Sequence, residues 1–445
     1  MNEKTGYLAE EPELKNLKVL YFLMVFLIIV DFVMPQYFGI HIGYDLTSTR
    51  VADLVIVVYM FLNSKILTHF WKIIMGNVMI IPLMIYMIVS IYTMVFRTDI
   101  NSFFLVFLEI LTFYILIYGI RFVIGWKRAI KLSIGCAYFL SIYGIIEFLC
   151  GQSLFLKFLS TVPTNVVNCY RSGFYRVMGP CGHALAYGLL LLLFTALACV
   201  DIEKEELFLF KRPVLLILLM ANVFLTGSRS TLGIVFLEIF LIIVFSGRNN
   251  IKKTCIILIF FLLALGLFLI IFGRTGVGRY ILMQIASVLD QVLGTSYSGL
   301  FGADTTTLDN SEEYRKCLPK IFQLDWLNPW LGRGVSGSFG ALIDGIYIKS
   351  VDNFYVCQYI KYAYPGMIAY IAFIITIIVQ MIISAIKYKS AIIKMCLIGI
   401  ICYFVNLWWL DALQTLKFAY IIIAIFWAYV LTRQSEKEEN INAAE

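Results

Sequence analysis

Charged residues are scarce in this sequence. Asp, Glu, Lys and Arg make up 14% of its 445 residues and apolar residues 61%, whereas soluble domains contain roughly 25% and 45–50%. So few charged residues cannot cover a soluble fold with a polar surface. The composition therefore excludes ordinary soluble classes and predicts an all-α polytopic membrane protein.

Most of the apolar residues lie in runs of about 17–24, each long enough to cross about 30 Å of hydrocarbon as a helix. We predict about 12 transmembrane helices with a large external loop domain. No cleaved signal peptide is expected, because residues 1–16 are polar and no small-residue cleavage site follows the first run. The predicted spans are residues 17–34, 51–68, 74–96, 102–124, 130–150, 183–200, 213–226, 230–246, 255–273, 360–386, 395–410 and 417–432.

The sequence also lacks the patterns of metal and nucleic-acid sites. Its ten cysteines include no Cys-x-x-Cys pair, and with three histidines they form no cluster of zinc-like spacing, so we expect neither a metal nor a cofactor. Cys169 and Cys181 share a loop and could pair, although isolated thiols are the preferred interpretation. The net charge of +7 does not indicate nucleic acid, because the basic residues form no patch with interleaved aromatics.

The basic residues lie mainly between the apolar runs. If the amino terminus is cytoplasmic, about 20 of the 35 Lys and Arg lie in or beside cytoplasmic segments. Two long loops, 151–182 and 274–359, are then external, and functional residues are expected in such loops. The predicted division is a membrane domain with nine spans, an external loop of short helices, a membrane domain with three spans and a cytoplasmic tail: 1–273, 274–359, 360–432 and 433–445.

A Thr-Gly-Ser-Arg-Ser segment at 226–230 separates two apolar runs at the predicted external surface. Arg229 could be an interfacial anchor, because an arginine near a membrane surface can extend its charge into water. The alternative is a phosphate-binding turn. Gly227 allows close backbone approach, and Ser228 and Ser230 offer hydroxyl groups. Ser230 could also cap the next helix, whose amino terminus favours anions.

Other basic residues lie in the two external loops. Arg171 and Arg176 precede a Gly-Pro-Cys-Gly cluster that ends at His183, which could simply be a residue at a helix start satisfied by backbone or water. In the large loop, Arg274 follows a span and Arg315 begins an amphipathic run. Several guanidinium groups on one face suit a diphosphate, because arginine donates paired hydrogen bonds and stays charged. A solvated charged loop would have a similar composition.

Asp352 and Asn353 lie at the predicted membrane edge, just before a tyrosine-rich apolar segment. A carboxylate there could accept a proton from a sugar hydroxyl, and aromatic rings suit the apolar faces of sugars. The tyrosines are equally typical of an interfacial belt. Asp325 and Asp344 are further acidic candidates in the same loop.

Taken in order, these segments resemble the O-antigen polymerase and O-antigen ligase superfamily of bacterial polysaccharide assembly. The resemblance covers about residues 171–375 and depends on order and spacing rather than on one motif. Its motifs are Arg176 with Gly179 and His183, the turn at 226–230, Arg315, the Asn-Pro-x-x-Gly-x-Gly turn at 328–334, and Asp352-Asn353 followed by Pro365-Gly366.

Two departures distinguish this chain from the ligases of that family. The ligases carry a histidine followed by Asn, Ser or Gln where this chain has Asp352-Asn353. They also have a glycine where this chain has Ala363, whereas Gly366 matches a later small residue. The resemblance therefore favours a polymerase, with a ligase as the alternative.

Members of the family act on undecaprenyl-diphosphate-linked glycans at the outer face of the bacterial inner membrane, without a nucleotide sugar or metal. The resemblance thus implies a glycosyltransferase that moves glycan from undecaprenyl diphosphate to a hydroxyl of an incoming lipid-linked repeat unit. Its expected partners are that lipid-linked oligosaccharide, membrane lipids and a chain-length regulator protein, with no nucleic acid.

The resemblance also implies roles for individual residues. Arg229 and Arg315 would stabilise the diphosphate leaving group, and Asp352 would orient or deprotonate the acceptor hydroxyl. The predicted substrate-binding residues are Arg171, Arg176, His183, Arg274 and Asn353.

A lipid-glycan flippase or other transporter is the main alternative from a different class. Glu109, Glu147 and Glu238 lie within apolar runs, where buried acids often mark an ion or substrate path. They could instead pair with backbone or hydroxyl groups of neighbouring helices. Large external loops and the lack of an internal repeat favour an enzyme over a transporter. A structural scaffold for other assembly proteins is the third interpretation.

Overall fold

The computed structural model describes residues 17–42, 45–158, 160–162, 170–304, 310 and 313–442. Helices dominate these ranges, and strand pairing within them is confined to four antiparallel hairpins. The predicted all-α class is confirmed.

The helices are α1 (Leu17–Val33), α2 (Ser48–Phe61), α3 (Ser64–Gly76), α4 (Ile80–Arg97), α5 (Ile100–Gly119, continued by a π-helical turn, Ile120–Ile124), α6 (Trp126–Cys150), α7 (Ala184–Ala198), α8 (Pro213–Leu225), α9 (Arg229–Phe245), α10 (Arg248–Phe272), α11 (Gly276–Leu293), α12 (Phe354–Tyr388), α13 (Ala391–Asn406) and α14 (Leu416–Asn442). The strand pairs are β1 (Gly39–His41) with β2 (Asp45–Thr47), β3 (Tyr170–Arg171) with β4 (Phe174–Tyr175), β5 (Val200–Asp201) with β6 (Glu206–Leu207), and β7 (Ala341–Ile343) with β8 (Ile346–Ile348).

Six helices in the described ranges are long and apolar enough to cross a membrane, or seven if α2 and α3 form one bent span. Helices α7, α8 and α13 are apolar but shorter. The helix lengths therefore support a membrane-embedded protein, whereas the predicted total of 12 spans stays a prediction.

The predicted span 51–68 is not one helix, which corrects the sequence-based boundary. Helix α2 ends at Phe61, α3 begins at Ser64, and the two are bent by 114°. Asn63 has φ −124° and ψ 85°, outside the helical region, and its side-chain amide donates to the Tyr59 carbonyl (2.8 Å). Such a local side-chain bond competes with helix continuation. Helix α12 begins at Phe354, six residues before the predicted span 360–386.

The apolar helices differ in what surrounds them. All but one of the residues of α7 are buried, as expected for a helix that is apolar on every side and lies inside a bundle. By contrast, no residue in the most apolar window of α10 is buried. Helix α7 is therefore central, and α10 presents its apolar residues at the periphery, where lipid would contact them.

One end of the bundle, here called the site end, carries the turn at 226–229 and the segment 328–353. Arg97, at the end of α4, donates to the Gly332 carbonyl (2.7 Å). Asp99, which caps α5, accepts from the Ser336 backbone N–H (3.0 Å). These bonds fasten the segment 328–353 to the connection between α4 and α5.

The opposite end is held by contacts among other connections. Arg433 of α14 forms an ion pair with Glu205, which follows α7. Arg121 donates to the Thr432 hydroxyl (2.8 Å). The connections thus divide into two groups that meet at opposite ends of the helices.

Helix α12 is interrupted near the site end. Ala363 has φ 55° and ψ −166°, a region that is essentially restricted to glycine and costs on the order of 1–3 kcal/mol for other residues. Pro365 has no N–H to donate to the Lys361 carbonyl four residues earlier. The break therefore leaves backbone carbonyls of α12 that need other donors.

The turn at 328–334 supplies those donors. The Arg333 N–H donates to the Ile360 carbonyl (2.8 Å), and the Gly334 N–H donates to the Lys361 carbonyl (3.0 Å). The Asn-Pro-x-x-Gly-x-Gly motif is thus the backbone partner of the α12 break.

Close contacts explain why both positions of this turn are occupied by glycine. A Cβ atom on Gly332 would lie 2.1 Å from the Lys361 carbonyl oxygen. Gly334 has φ 80°, and a Cβ there would lie 2.6 Å from an Asp99 carboxylate oxygen. Another residue at Gly332 would require the α12 backbone to move, and one at Gly334 would adopt a strained φ and displace the Asp99 side chain.

The strain at Ala363 gives a testable prediction. Ala363→Gly removes a Cβ from a backbone conformation that favours glycine, so we expect a higher midpoint of thermal unfolding in detergent. The matched control is Ala369→Gly in the same helix, which should lower the midpoint because glycine costs about 1 kcal/mol at a helical position. An equal decrease of the unfolding midpoint in the two variants would contradict strain at Ala363.

Candidate active site

The hairpin β3–β4 brings two predicted arginines to the turn between α8 and α9. Arg171 lies in β3, and Arg176 directly follows β4. Arg176 is 6% exposed, and its Nε donates to the Thr226 carbonyl (2.8 Å). The Val177 N–H donates to the Leu225 carbonyl (3.0 Å). These bonds hold the hairpin against the carboxyl end of α8.

The turn at 226–230 places Arg229 at the first position of α9. Gly227 has φ 59°, which allows the chain to reverse between the two helices. Ser228, rather than Ser230 as predicted, caps α9 by accepting from the Thr231 N–H (3.3 Å). Arg229 is 9% exposed, so its side chain lies within the protein at the amino terminus of a 17-residue helix.

Four of the predicted arginines lie close together. The charges of Arg176, Arg229 and Arg315 all act on Arg171, and burial together with these like charges lowers the pKa of Arg171 to about 9. The group remains charged at neutral pH. A small pocket beside it is lined by Arg171, Ser172, Gly227, Arg229, Met283, Gln284, Ser287 and Ala303.

Helix α11 covers this pocket. Gln284 and Ser287 lie on its buried face. The Tyr280 hydroxyl donates to the Phe224 carbonyl near the end of α8 (2.7 Å), and its ring lies 4.5 Å from that of Phe174 in β4. The first helix of the large loop is thereby fixed over the turn at 226–230.

Two carboxylates accompany the arginines in the described part of the chain. The charge of Asp304 acts to raise the pKa of Arg171, and an Asp352 Oδ lies 3.8 Å from an Arg315 Nη. The Asp352 side chain is 39% exposed. Burial is the main cause that raises the pKa of Asp352 above its usual value; Arg315 opposes this effect and Asp411 adds to it.

His183 caps a helix. Its Nδ1 accepts from the Leu185 N–H (3.2 Å) at the start of α7. Burial, assisted by the charge of Arg176, lowers the pKa of His183 to about 4. The imidazole is therefore neutral at physiological pH, and the nitrogen that could serve as a base is occupied.

Asn353 is also engaged within the protein. Its side-chain oxygen accepts from the Val356 N–H (3.0 Å), which caps α12, and its amide donates to the Trp408 carbonyl (2.8 Å). Asn353 is 3% exposed. Its observed contacts position Asp352 by fixing the start of α12 to the connection between α13 and α14.

The structure separates the other predicted residues from this group. Arg274 is exposed between α10 and α11 and is not among the charges that act on Arg171. Asp325 is exposed, and Asp344 forms an ion pair with Lys320. Among the described residues, Asp352 is thus the acidic candidate of the large loop that lies beside a predicted arginine.

The tyrosines after Asp352 face the protein interior. Tyr359 and Tyr362 are 3% and 2% exposed. The Tyr355 hydroxyl donates to the Phe404 carbonyl (2.8 Å), and that of Tyr362 donates to the Ser102 carbonyl (2.9 Å). Tyr359 and Tyr362 are therefore not part of an exposed interfacial belt.

Glu147 pairs with backbone and hydroxyl groups, which was the alternative to an ion or substrate path. Its carboxylate accepts from the Tyr175 hydroxyl (2.9 Å) and from the N–H groups of Met178 (2.9 Å) and Gly179 (3.0 Å). It therefore holds the segment that carries Arg176. The sequence indicated the kind of partner, but not that the partners belong to the segment around Arg176.

The described residues include most of the side chains that a metal site or a disulfide would need. Within them, no group of three or more His, Cys, Asp or Glu side chains could hold a metal ion. Cys181 is a free, buried thiol, and Cys169 lies outside the described residues.

Together, the apolar helices and the arginine group define an all-α, membrane-embedded protein with a buried basic site at one end of its helix bundle. No family model matches the sequence, and no curated protein matches it.

Proposed function

We propose that this protein is a metal-independent membrane glycosyltransferase of the O-antigen polymerase type. It polymerises lipid-linked polysaccharide repeat units by transferring glycan from undecaprenyl diphosphate to a hydroxyl of an incoming lipid-linked repeat unit. The observation that carries the proposal is the position of Arg171, Arg176 and Arg229 around the start of α9, with the charge of Arg315 also acting on Arg171.

The arginine group suits a diphosphate. Guanidinium groups donate paired hydrogen bonds to phosphate oxygens, and the amino terminus of α9 adds a favourable dipole for an anion. Negative charge increases on the diphosphate as the bond to the sugar breaks. Donors already held in place stabilise that charge without reorganisation. Arg229 and Arg315 are assigned this role, with Arg171 and Arg176 as supporting contacts.

Asp352 is assigned to the acceptor. Its carboxylate takes the proton of the attacking hydroxyl while the hydroxyl oxygen bonds to the anomeric carbon and the carbon–oxygen bond to the diphosphate breaks. Undecaprenyl diphosphate is the leaving group. The raised pKa makes the ionised carboxylate of Asp352 a stronger base than that of an ordinary aspartate. Its 3.8 Å separation from Arg315 supports a role beside the proposed leaving-group site.

The proposed location is the bacterial inner membrane, with both termini cytoplasmic, about 12 crossings and the site end external. The grouping of the connections at two ends and the basic residues of the opposite end support this orientation. In spheroplasts that express a cysteine-free variant of the protein, an impermeant thiol reagent should label Ser296→Cys but not Asn249→Cys. Both positions are exposed. The reverse pattern would refute the orientation.

Deletion of the gene, followed by gel analysis of surface polysaccharide, tests the function. A polymerase predicts loss of the ladder with one repeat unit still attached to its acceptor. Unmodified acceptor with polymer accumulating on undecaprenyl carrier would indicate a ligase instead. Loss of all surface glycan, with repeat units retained on the cytoplasmic side, would indicate a flippase.

A further inference from the structure

A second, larger cavity lies among α2, α5, α12 and α14. Its volume is about 470 Å³. Charged and aromatic side chains line it, among them Asp53, Glu109, Lys361, Asp411, Lys417 and Tyr420. The α5 residues in its lining run from Leu105 to Thr112, so the cavity extends about 10 Å along that helix at 1.5 Å per residue.

The charges of this cavity are balanced. Asp53, Glu109 and Asp411 contribute three acidic groups, and Arg50, Lys361 and Lys417 contribute three basic groups. The arginine group at the start of α9 is different, because basic side chains predominate there. A balanced site favours an uncharged ligand with many hydroxyl groups, whereas the arginine group favours an anion.

Lys361 has hydrogen-bonding capacity available to a ligand. The charges of Asp411 and Glu109 act on it, yet no hydrogen bond or ion pair to another described residue holds its ammonium group. An ammonium group has three donors. Placed at the cavity wall between two acids, it can donate to sugar oxygens while remaining charged.

Asp53 provides a second polar group. It is 3% exposed; one carboxylate oxygen accepts from the Thr112 hydroxyl (2.6 Å), and the other has no hydrogen-bond partner among the described residues. A buried oxygen without a donor is unfavourable. A ligand hydroxyl group is the kind of donor that would satisfy it.

The rings at the wall complete a sugar-like environment. Tyr86 lies in the lining and donates to the Gln358 side chain (2.9 Å). Tyr362 packs against it with ring centroids 5.2 Å apart. Aromatic faces next to hydrogen-bonding groups match a sugar ring, which has apolar C–H faces and a polar rim.

Asp411 connects the cavity with the proposed reaction site. Its charge acts on Asp352 and on Lys361. It lies in the connection between α13 and α14, where Leu413 and Gln414 have φ values of 47° and 62°. Strained backbone of this kind persists where surrounding structure fixes a loop, often at a ligand site. Because Asp411 lines the cavity and its charge also acts on Asp352, the cavity lies near the proposed reaction site.

We propose that this cavity binds the acceptor sugar, an uncharged, hydroxyl-bearing residue at the end of the incoming repeat unit. Lys361 and Asp53 contact its hydroxyl groups, and the rings of Tyr86 and Tyr362 border its apolar face. The inference rests on the proposed polymerase function and adds the site that selects the acceptor.

The test uses the full-length protein and a soluble acceptor. The probe is the repeat-unit oligosaccharide released by mild acid from the lipid carrier of the deletion strain, with lipid-linked repeat unit as donor. Lys361→Met should raise the KM for this oligosaccharide about tenfold, the effect of losing one charged hydrogen bond, with the KM for the donor unchanged. The control is Lys387→Met, which removes an exposed lysine at the other end of α12 and should leave both constants unchanged.

Unchanged KM for the oligosaccharide in Lys361→Met would overturn the proposal, and so would a rise in KM for the donor alone. Lys361→Gln is the second variant if the methionine variant does not accumulate. Equilibrium dialysis of the same oligosaccharide separates the hypothesis of a sugar-binding cavity from the hypothesis of polymerase function. Binding by wild type and not by the variant supports the cavity even if no elongation occurs. Equal binding by both proteins refutes it.

Discussion

Arg229→Lys is expected to reduce chain elongation by purified protein on the order of 100-fold or more. Lysine keeps the positive charge but loses the planar pair of donors that matches a diphosphate. Removal of one well-placed donor to a developing anion typically costs about 10²–10³ in rate. Because Arg229 is buried and lines the same pocket as Arg171, the loss should appear in the rate of undecaprenyl diphosphate release.

The matched control for Arg229→Lys is Arg248→Lys. Arg248 is the first residue of α10, as Arg229 is of α9, but it is exposed at the opposite end of the bundle. Its variant should elongate at the wild-type rate. Wild-type elongation by Arg229→Lys, with normal amounts of protein in the membrane, would instead support the interfacial-anchor interpretation.

Asp352→Asn is expected to abolish most elongation while retaining donor binding. The substitution preserves size but removes the basic group, and loss of general base catalysis typically costs about 10²–10⁴ in rate. The active form of Asp352 is ionised. The wild-type rate should therefore fall as the pH drops through its pKa, which lies above the usual aspartate value. The residual rate of the variant should not show this fall with pH.

The control for Asp352 is Asp344→Asn, which removes a carboxylate that pairs with Lys320 on the surface of the same loop. It should retain the wild-type pH profile. If Asp352→Asn and wild type elongate equally at every pH, Asp352 is not part of the mechanism.

The sequence predicted the types of residue at the site better than their arrangement. Apolar runs indicated the membrane class, and Arg171, Arg176, Arg229 and Arg315 do lie together. Arg274 had the same signal, an arginine next to a span, but its side chain is exposed. Position beside a helix end does not determine which way a side chain points, so the sequence could not separate this residue from the others.

The turn at 328–334 shows a second limit. Its motif supported the resemblance, and the structure gives it a backbone role, because Gly334 donates to the carbonyl that Pro365 leaves without a partner. Ala363 occupies the position where the ligases have glycine, and its positive φ explains why glycine suits that position. A motif alone does not distinguish a structural requirement from a chemical one.

The second cavity could not be predicted from sequence. Asp53, Glu109, Lys361 and Asp411 are far apart in the chain and meet only through the packing of α2, α5, α12 and α14. Lys361 also lies inside a predicted span, where it belongs to no sequence motif. Such sites depend on tertiary contacts that periodicity does not encode.

The most direct test of the central claim is elongation by purified wild-type protein supplied only with the lipid-linked repeat unit, in the presence of a metal chelator. The proposed function predicts a ladder of lipid-linked oligomers and one undecaprenyl diphosphate released for each bond formed. No oligomers under these conditions, or oligomers only when a nucleotide sugar is added, would contradict it.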